Sequence, residues 1–200
     1  MKYHRRVNAH NVDLNRNSRW AHPFDLAFNP AYARVDHTMN PTGIVRHFPT
    51  AALGFYWHLL RDLLRLGVSG FEAASLVGQY RYPHGLYYGG VDYPEETRLM
   101  IDLYRHTFAQ FDQVLHLDMH TGYGPRYQMS VVNSAYEPRP SQEFVDRFAY
   151  PLIVAGSPEE FYPNQGDMID YVYALCQSEF PEKRLYACSF EFGTEARKTL

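Results

Sequence analysis

In Val114-Leu-His-Leu-Asp-Met-His120, apolar and polar residues alternate without a break from Leu115 on, and this constrains the fold more than any other stretch. Side chains in a strand point to opposite faces in turn. Leu115, Leu117 and Met119 therefore share one face, and His116, Asp118 and His120 share the other. Leu185 to Phe192 repeats the pattern, with Tyr186, Cys188, Phe190 and Phe192 opposed to Ala187, Ser189 and Glu191. Phe148 to Ala155 reads as a third, buried strand. Between and before these runs the period changes to that of a helix. Thr50 to Leu66 carries Leu59, Leu60, Leu63 and Leu64 as a stripe and ends at Gly67. Ser69-Gly-Phe-Glu72 has the capping-box spacing of a shorter second helix. Pro94-Glu95-Glu96 opens a third helix, with proline and acids in its first turn, which runs to about Gln110. Gly166 to Cys176 is a fourth, with Ile169, Val172, Tyr173 and Cys176 inward. Residues 1–48 show little periodicity and read mostly as loop. Strands alternating with helices predict an α/β domain with a mixed, mostly parallel sheet and flanking helices.

Composition sets bounds on function. Two hundred residues suit one domain with a real core. A net charge of −3 argues against a nucleic-acid partner. No run of 18 apolar residues and no leader-like start is present, so neither a membrane partner nor secretion is expected. Two cysteines, Cys176 and Cys188, are too few for a disulfide framework, and a cytoplasmic chain is the expectation.

Candidate chemistry sits at the strand ends. His120 and Glu191 each precede a glycine-containing loop, and α/β sheets build sites outside the carboxyl ends of their strands. They suit a metal ligand and a general base, or equally a hydrogen-bonded edge histidine and a salt-bridged glutamate. His116, Asp118 and His120 on one face offer an alternative three-ligand set, with His10 as a candidate fourth. Arg16, between Asn15 and Asn17, is built like a carboxylate receptor, a planar fork with amide donors beside it. Asparagines holding their own loop explain the same tripeptide.

In order along the chain, RRVNAHNVDLNRN, GQYRYPHGLYYGG, LDMHTGYG and SFEFGT resemble the zinc carboxypeptidase superfamily. The resemblance is closest to its bacterial branch related to succinylglutamate desuccinylase and aspartoacylase, and it runs from residue 4 to about 194. It implies a carboxypeptidase-like (phosphorylase/hydrolase-like) fold over a single partial domain, residues 1–200. It also implies zinc-dependent hydrolysis of an amide or peptide bond next to a substrate carboxylate. Asn15 and Arg16 match the pair that grips that carboxylate. Arg5, ahead of Arg6, matches the arginine that polarises the scissile carbonyl. His120 matches a zinc ligand and Glu191 the base that activates water. Tyr162, ahead of Gly166-Asp-Met-Ile-Asp170, matches a mobile tyrosine that caps the substrate. The superfamily takes its other two zinc ligands from a His-x-x-Glu motif, and no histidine here is followed by Glu at the third position. The expectation is a domain truncated at both ends, incomplete on the N-terminal side of its sheet, and inactive as it stands. A non-catalytic binder of carboxylate-terminated peptide-like ligands is the alternative. An incomplete sheet predicts a large exposed apolar edge or face and self-association through it.

Overall fold

Four strands form the sheet of this computed structural model, which describes residues 6–20, 24–122, 124–156 and 166–194. They are β1 (Gln113–Thr121), β2 (Met129–Asn133), β3 (Ile153–Ala155) and β4 (Arg184–Phe192), in the order β1-β4-β2-β3. The β1–β4 and β2–β3 pairs are parallel and the β2–β4 pair antiparallel. The helices are α1 (Tyr32–Met39), α2 (Phe48–Leu76), α3 (Glu95–Gln110), α4 (Ser141–Phe148) and α5 (Met168–Glu179). The α/β class with a mostly parallel sheet and flanking helices is therefore observed.

The contacts gather in two compact units, Met1–Thr97 with Asn164–Asp167, and Arg98–Pro163 with Met168–Leu200. The second holds the sheet. Val131, Phe144, Ile153 and Cys188 form its buried apolar cluster, with Met129, Tyr150, Tyr186 and Phe190 packed around it. The helix α4 covers this face by stacking Phe144 on Tyr186, ring centroids 4.6 Å apart and 12° from parallel. Towards β1 the cover ends. Leu115, Leu117 and Met119 are 64, 41 and 60% exposed on the outermost strand. A trough of about 310 Å³ runs between Leu115 and Leu117 on one side and Met129, Phe148 and Phe190 on the other. The expected exposed apolar face is thus present, on the face that the alternation assigned to those three residues. On the other face α5 turns Ile169, Val172, Tyr173 and Cys176 inward as expected, all of them buried.

In the first unit α1 and α2 pack around Tyr32, Val35 and Ala74. The helix α2 starts at Phe48 with His47 as N-cap, while Thr50 donates its hydroxyl to the His47 carbonyl at 3.0 Å. Its two predicted halves are real. Gly67, at φ 70° and ψ 172°, breaks the helical path, a left-handed backbone that glycine adopts without penalty. The strand expected over Phe148 to Ala155 needs correcting. Phe148 closes α4, Ala149 adopts the left-handed C-cap conformation (φ 51°), and only Ile153–Ala155 is extended. The stretch before α2, read mostly as loop, also holds α1 among its described residues.

Candidate functional site

In the sheet unit the strand register does the assembling. His120 lies opposite Glu191 in the β1–β4 ladder, Asp118 opposite Ser189 and His116 opposite Ala187. Partners in a parallel ladder project to the same face. The two residues matched to ligand and base are therefore neighbours at the carboxyl ends of adjacent strands, with Ser130 of β2 opposite Glu191 on its other side. Glu191 is 4% exposed. His120 Nε2 lies 2.7 Å from Asp118 Oδ2. Burial pushes the Asp118 carboxyl up, but the His120 hydrogen bond and the nearby imidazoles outweigh it and hold the group below its ordinary range. A carboxylate on one ring nitrogen fixes the imidazole's tautomer and orientation.

His116 belongs to a different environment. Its Nδ1 is 3.4 Å from the Tyr104 hydroxyl, and burial, partly opposed by Asp118, lowers its pKa from the ordinary 6.5. Among the described residues no group of three or more His, Cys, Asp or Glu side chains is arranged to hold a metal. The shared face of His116, Asp118 and His120 thus does not make a three-ligand site. Catalytic zinc takes three protein ligands, and the donors near His120, Asp118 and Glu191, are not arranged with it as such a set. They do not by themselves fit a resident zinc.

In the other unit the Asn15-Arg16-Asn17 tripeptide lies in a 3₁₀ turn, Leu14–Arg16, capped by Asp13 accepting from the Asn15 amide at 3.1 Å. Asn17 is fully buried. Its Nδ2 donates to the carbonyls of Gly89 (2.7 Å) and Asp92 (2.9 Å), and its Oδ1 accepts from Thr97 Oγ1 (2.7 Å). It is structural, but where the loop-holding reading of the tripeptide expected bonds to its own backbone, it ties the turn to a distant loop and to Thr97. Arg16 is only 2% exposed. Nε and Nη2 both donate to the Leu76 carbonyl, at 3.0 and 2.8 Å, and Nη1 donates to the Asn15 carbonyl at 2.9 Å. Among the described residues these bonds use three of the five guanidinium N–H donors. Asn15 is half-buried, and among the described residues its carboxamide has no hydrogen-bond partner.

Arg6 lies beside this turn. Its Nε is 3.0 Å from Asp13 Oδ2, and its guanidinium stands 5.4 Å from the centre of the Tyr87 ring, which Arg16 also faces, at 5.3 Å. Arg5 and Tyr162 lie outside the described residues. Gly166, which follows Tyr162, is described. Its carbonyl accepts from the Ser18 amide at 2.9 Å, and a Cβ there would fall 2.4 Å from the Arg16 carbonyl oxygen. That close approach and a φ of 85° require glycine. The Gly-x-x-Ile-Asp segment thus begins against the Arg16 backbone.

Several residues of these surroundings were not singled out from the sequence. Glu137 holds Arg139 through two oxygens at 2.7 and 3.0 Å and accepts from the Tyr173 hydroxyl at 2.5 Å, while Tyr173 accepts from the Ala187 amide at 3.1 Å. Ser134 donates to Asp170 at 2.6 Å. Burial raises the Asp170 pKa against the effect of that bond. The only signal for either pair in the sequence is the presence of acids in segments that must be buried.

No curated protein matches the chain, and no solved structure does. A family model matches residues 1–200, and on that match the chain belongs to the family described as Protein of unknown function (DUF2817).

Proposed function

We propose that this domain is of the kind that hydrolyses an amide or peptide bond next to a substrate carboxylate with zinc, carboxypeptidase- or deacylase-like, and that this chain is inactive because it has no His-x-x-Glu pair to complete the zinc site. The observation that carries the reading is the register of β1 on β4, which sets His120 beside Glu191 while Asp118 engages the His120 ring. Glu191 is assigned the general base, taking a proton from the attacking water and giving it to the leaving nitrogen, a role worth about 10²–10⁴ in rate. His120 is assigned one metal ligand, and the chain has no His-x-x-Glu pair to supply the other two. Asn15, with its unengaged carboxamide, and the guanidinium of Arg16 are assigned the substrate carboxylate. Arg6 joins Arg5 as a candidate for polarising the carbonyl, because it is exposed and already ion-paired beside the Asn15–Arg16 turn. Tyr162 is retained as the capping residue. The substrate is a small molecule or peptide with a free carboxylate, and self-association through the apolar sheet face belongs to the same proposal.

The ligand count favours one second reading, a non-catalytic binder of carboxylate-terminated peptide-like ligands. Elemental analysis of the 200-residue chain after dialysis against a weak chelator tests the count. Far less than one zinc per chain is expected, and a full equivalent would refute the single-ligand assignment. The catalytic role is tested in a family member that also carries a His-x-x-Glu pair. Glutamine at the position of Glu191 should abolish hydrolysis of N-acyl amino acids and peptides there. A near wild-type rate would remove Glu191 as the base. If that unmodified member binds such ligands without cleaving them, the binder reading stands instead.

A further inference from the structure

We propose that the outer face of α2 docks on the surface of an anionic phospholipid bilayer. Large apolar side chains face solvent along this helix at Leu53, Tyr56, Trp57, Leu60 and Leu64, which are 71, 64, 66, 51 and 79% exposed. Their spacing is helical, so they form one stripe. The stripe lies opposite Asp62, which is 2% exposed and bound to Thr38 and Arg61. The approach to the helix continues it, with Ile44, Val45 and Phe48 at 85, 64 and 77% exposure.

Charge selects the occupant. From Ile44 to Phe71 the only acid is that buried and paired Asp62, while Arg46 and Arg65 are exposed. From Ile44 to the end of α2 at Leu76, three arginines stand against Asp62 and Glu72, a net +1 in a chain whose net charge is −3, and the exposed Glu72 lies past the break at Gly67, outside the stripe. An apolar helix face with Trp and Tyr, bordered by arginine and free of exposed acid, is the composition of a helix that lies in the membrane interface. No helix among the described residues is long and apolar enough to cross a bilayer. The expectation of no membrane partner concerned spanning, and a helix lying on the surface needs no spanning segment. The inference stands independently of the hydrolase reading.

The test uses the full chain with phosphatidylcholine vesicles, with and without phosphatidylglycerol. Trp20→Phe leaves Trp57 as the only reporter. Two exposed arginines near an anionic surface strengthen binding by about 30-fold over the zwitterionic vesicles. The expected result is co-sedimentation with the anionic vesicles, a blue shift of Trp57 emission, and weakening by salt. Arg46→Gln with Arg65→Gln should remove the anionic preference, and Leu60→Glu with Leu64→Glu should abolish binding. These sites are exposed, so folding should survive, and far-UV circular dichroism checks that. Absence of binding to anionic vesicles overturns the inference. So does binding that Leu60→Glu and Leu64→Glu leave intact, which would place the contact elsewhere. A Trp57 shift that grows with protein concentration without lipid, and is lost in the same variant, would overturn it in favour of a second copy.

Discussion

Arg16→Met separates two roles for the arginine at the centre of the tripeptide. The variant keeps most of the buried stem and removes the guanidinium. Leu76 O loses both of its donors and Asn15 O loses one, in a place where the arginine is 2% exposed. A hydrogen bond to a charged group is worth about 1.5–3 kcal/mol net, and a buried acceptor left unpaired costs about 1–3 kcal/mol. Counting two orphaned carbonyls rather than three bonds, the loss is about 3–5 kcal/mol, a large share of a typical domain's total stability. The assay is urea unfolding followed by far-UV circular dichroism, where the midpoint should fall sharply with little change in slope. Arg16→Lys should recover part of the loss, because an ammonium cannot place two donors on Leu76 O and a third on Asn15 O with the planar fork's geometry. A receptor arginine lying open in a cleft would behave otherwise, costing ligand affinity and roughly 0.5 kcal/mol or less of stability. A loss under about 1 kcal/mol for Arg16→Met would refute the claim that this guanidinium ties the turn to the end of α2.

Gly166→Ala should destabilise by about 2 kcal/mol or more, read from the same urea curves, because the new methyl meets the Arg16 backbone at a left-handed φ. Tyr173→Phe should cost about 2–3 kcal/mol, since the Ala187 amide loses its acceptor and Glu137 loses a donor. Stability should also fall with acid. His116 and His37 both have pKa values lowered by burial from 6.5, so the unfolded chain binds protons first. The stability they contribute is complete above about pH 6.5 and is lost as pH falls towards their folded values. His116→Leu should flatten part of that slope in unfolding midpoints compared between neutral and mildly acid buffer. An unchanged slope would remove His116 as a cause.

Where the sequence was readable, a periodic pattern met clear end signals. The strand β1 alternates strictly from Leu115 to His120, and α3 begins at the proline and acids that mark its first turn. The helix α5 exposed its inward face through its spacing. The misses share a cause. All but the first residue of β2 are buried, so neither the five-residue strand nor its neighbours show alternation. The run ending in Ile153-Val-Ala155 is apolar on both sides of a helix end, and periodicity does not separate a short strand from the last turn of α4. Eight largely polar residues hid α1. At the site, residue types were legible and relations were not. Nothing in the order of His120 and Glu191 says that β4 pairs with β1, or in that register. The carboxamides beside Arg16 look alike in sequence, yet Asn17 is locked by three hydrogen bonds and Asn15 is not.

The uncovered apolar trough beside β1 has a thermal consequence. The heat capacity of unfolding comes mainly from apolar surface that becomes wet. Leu115, Leu117 and Met119, with their exposed counterparts on α2, are already wet in the folded chain and add little to it. The monomer's free energy of unfolding should therefore curve weakly with temperature, with a broad, shallow maximum. Covering those side chains in any complex would steepen the curvature, and calorimetry would register the complex by that change before its partner was identified.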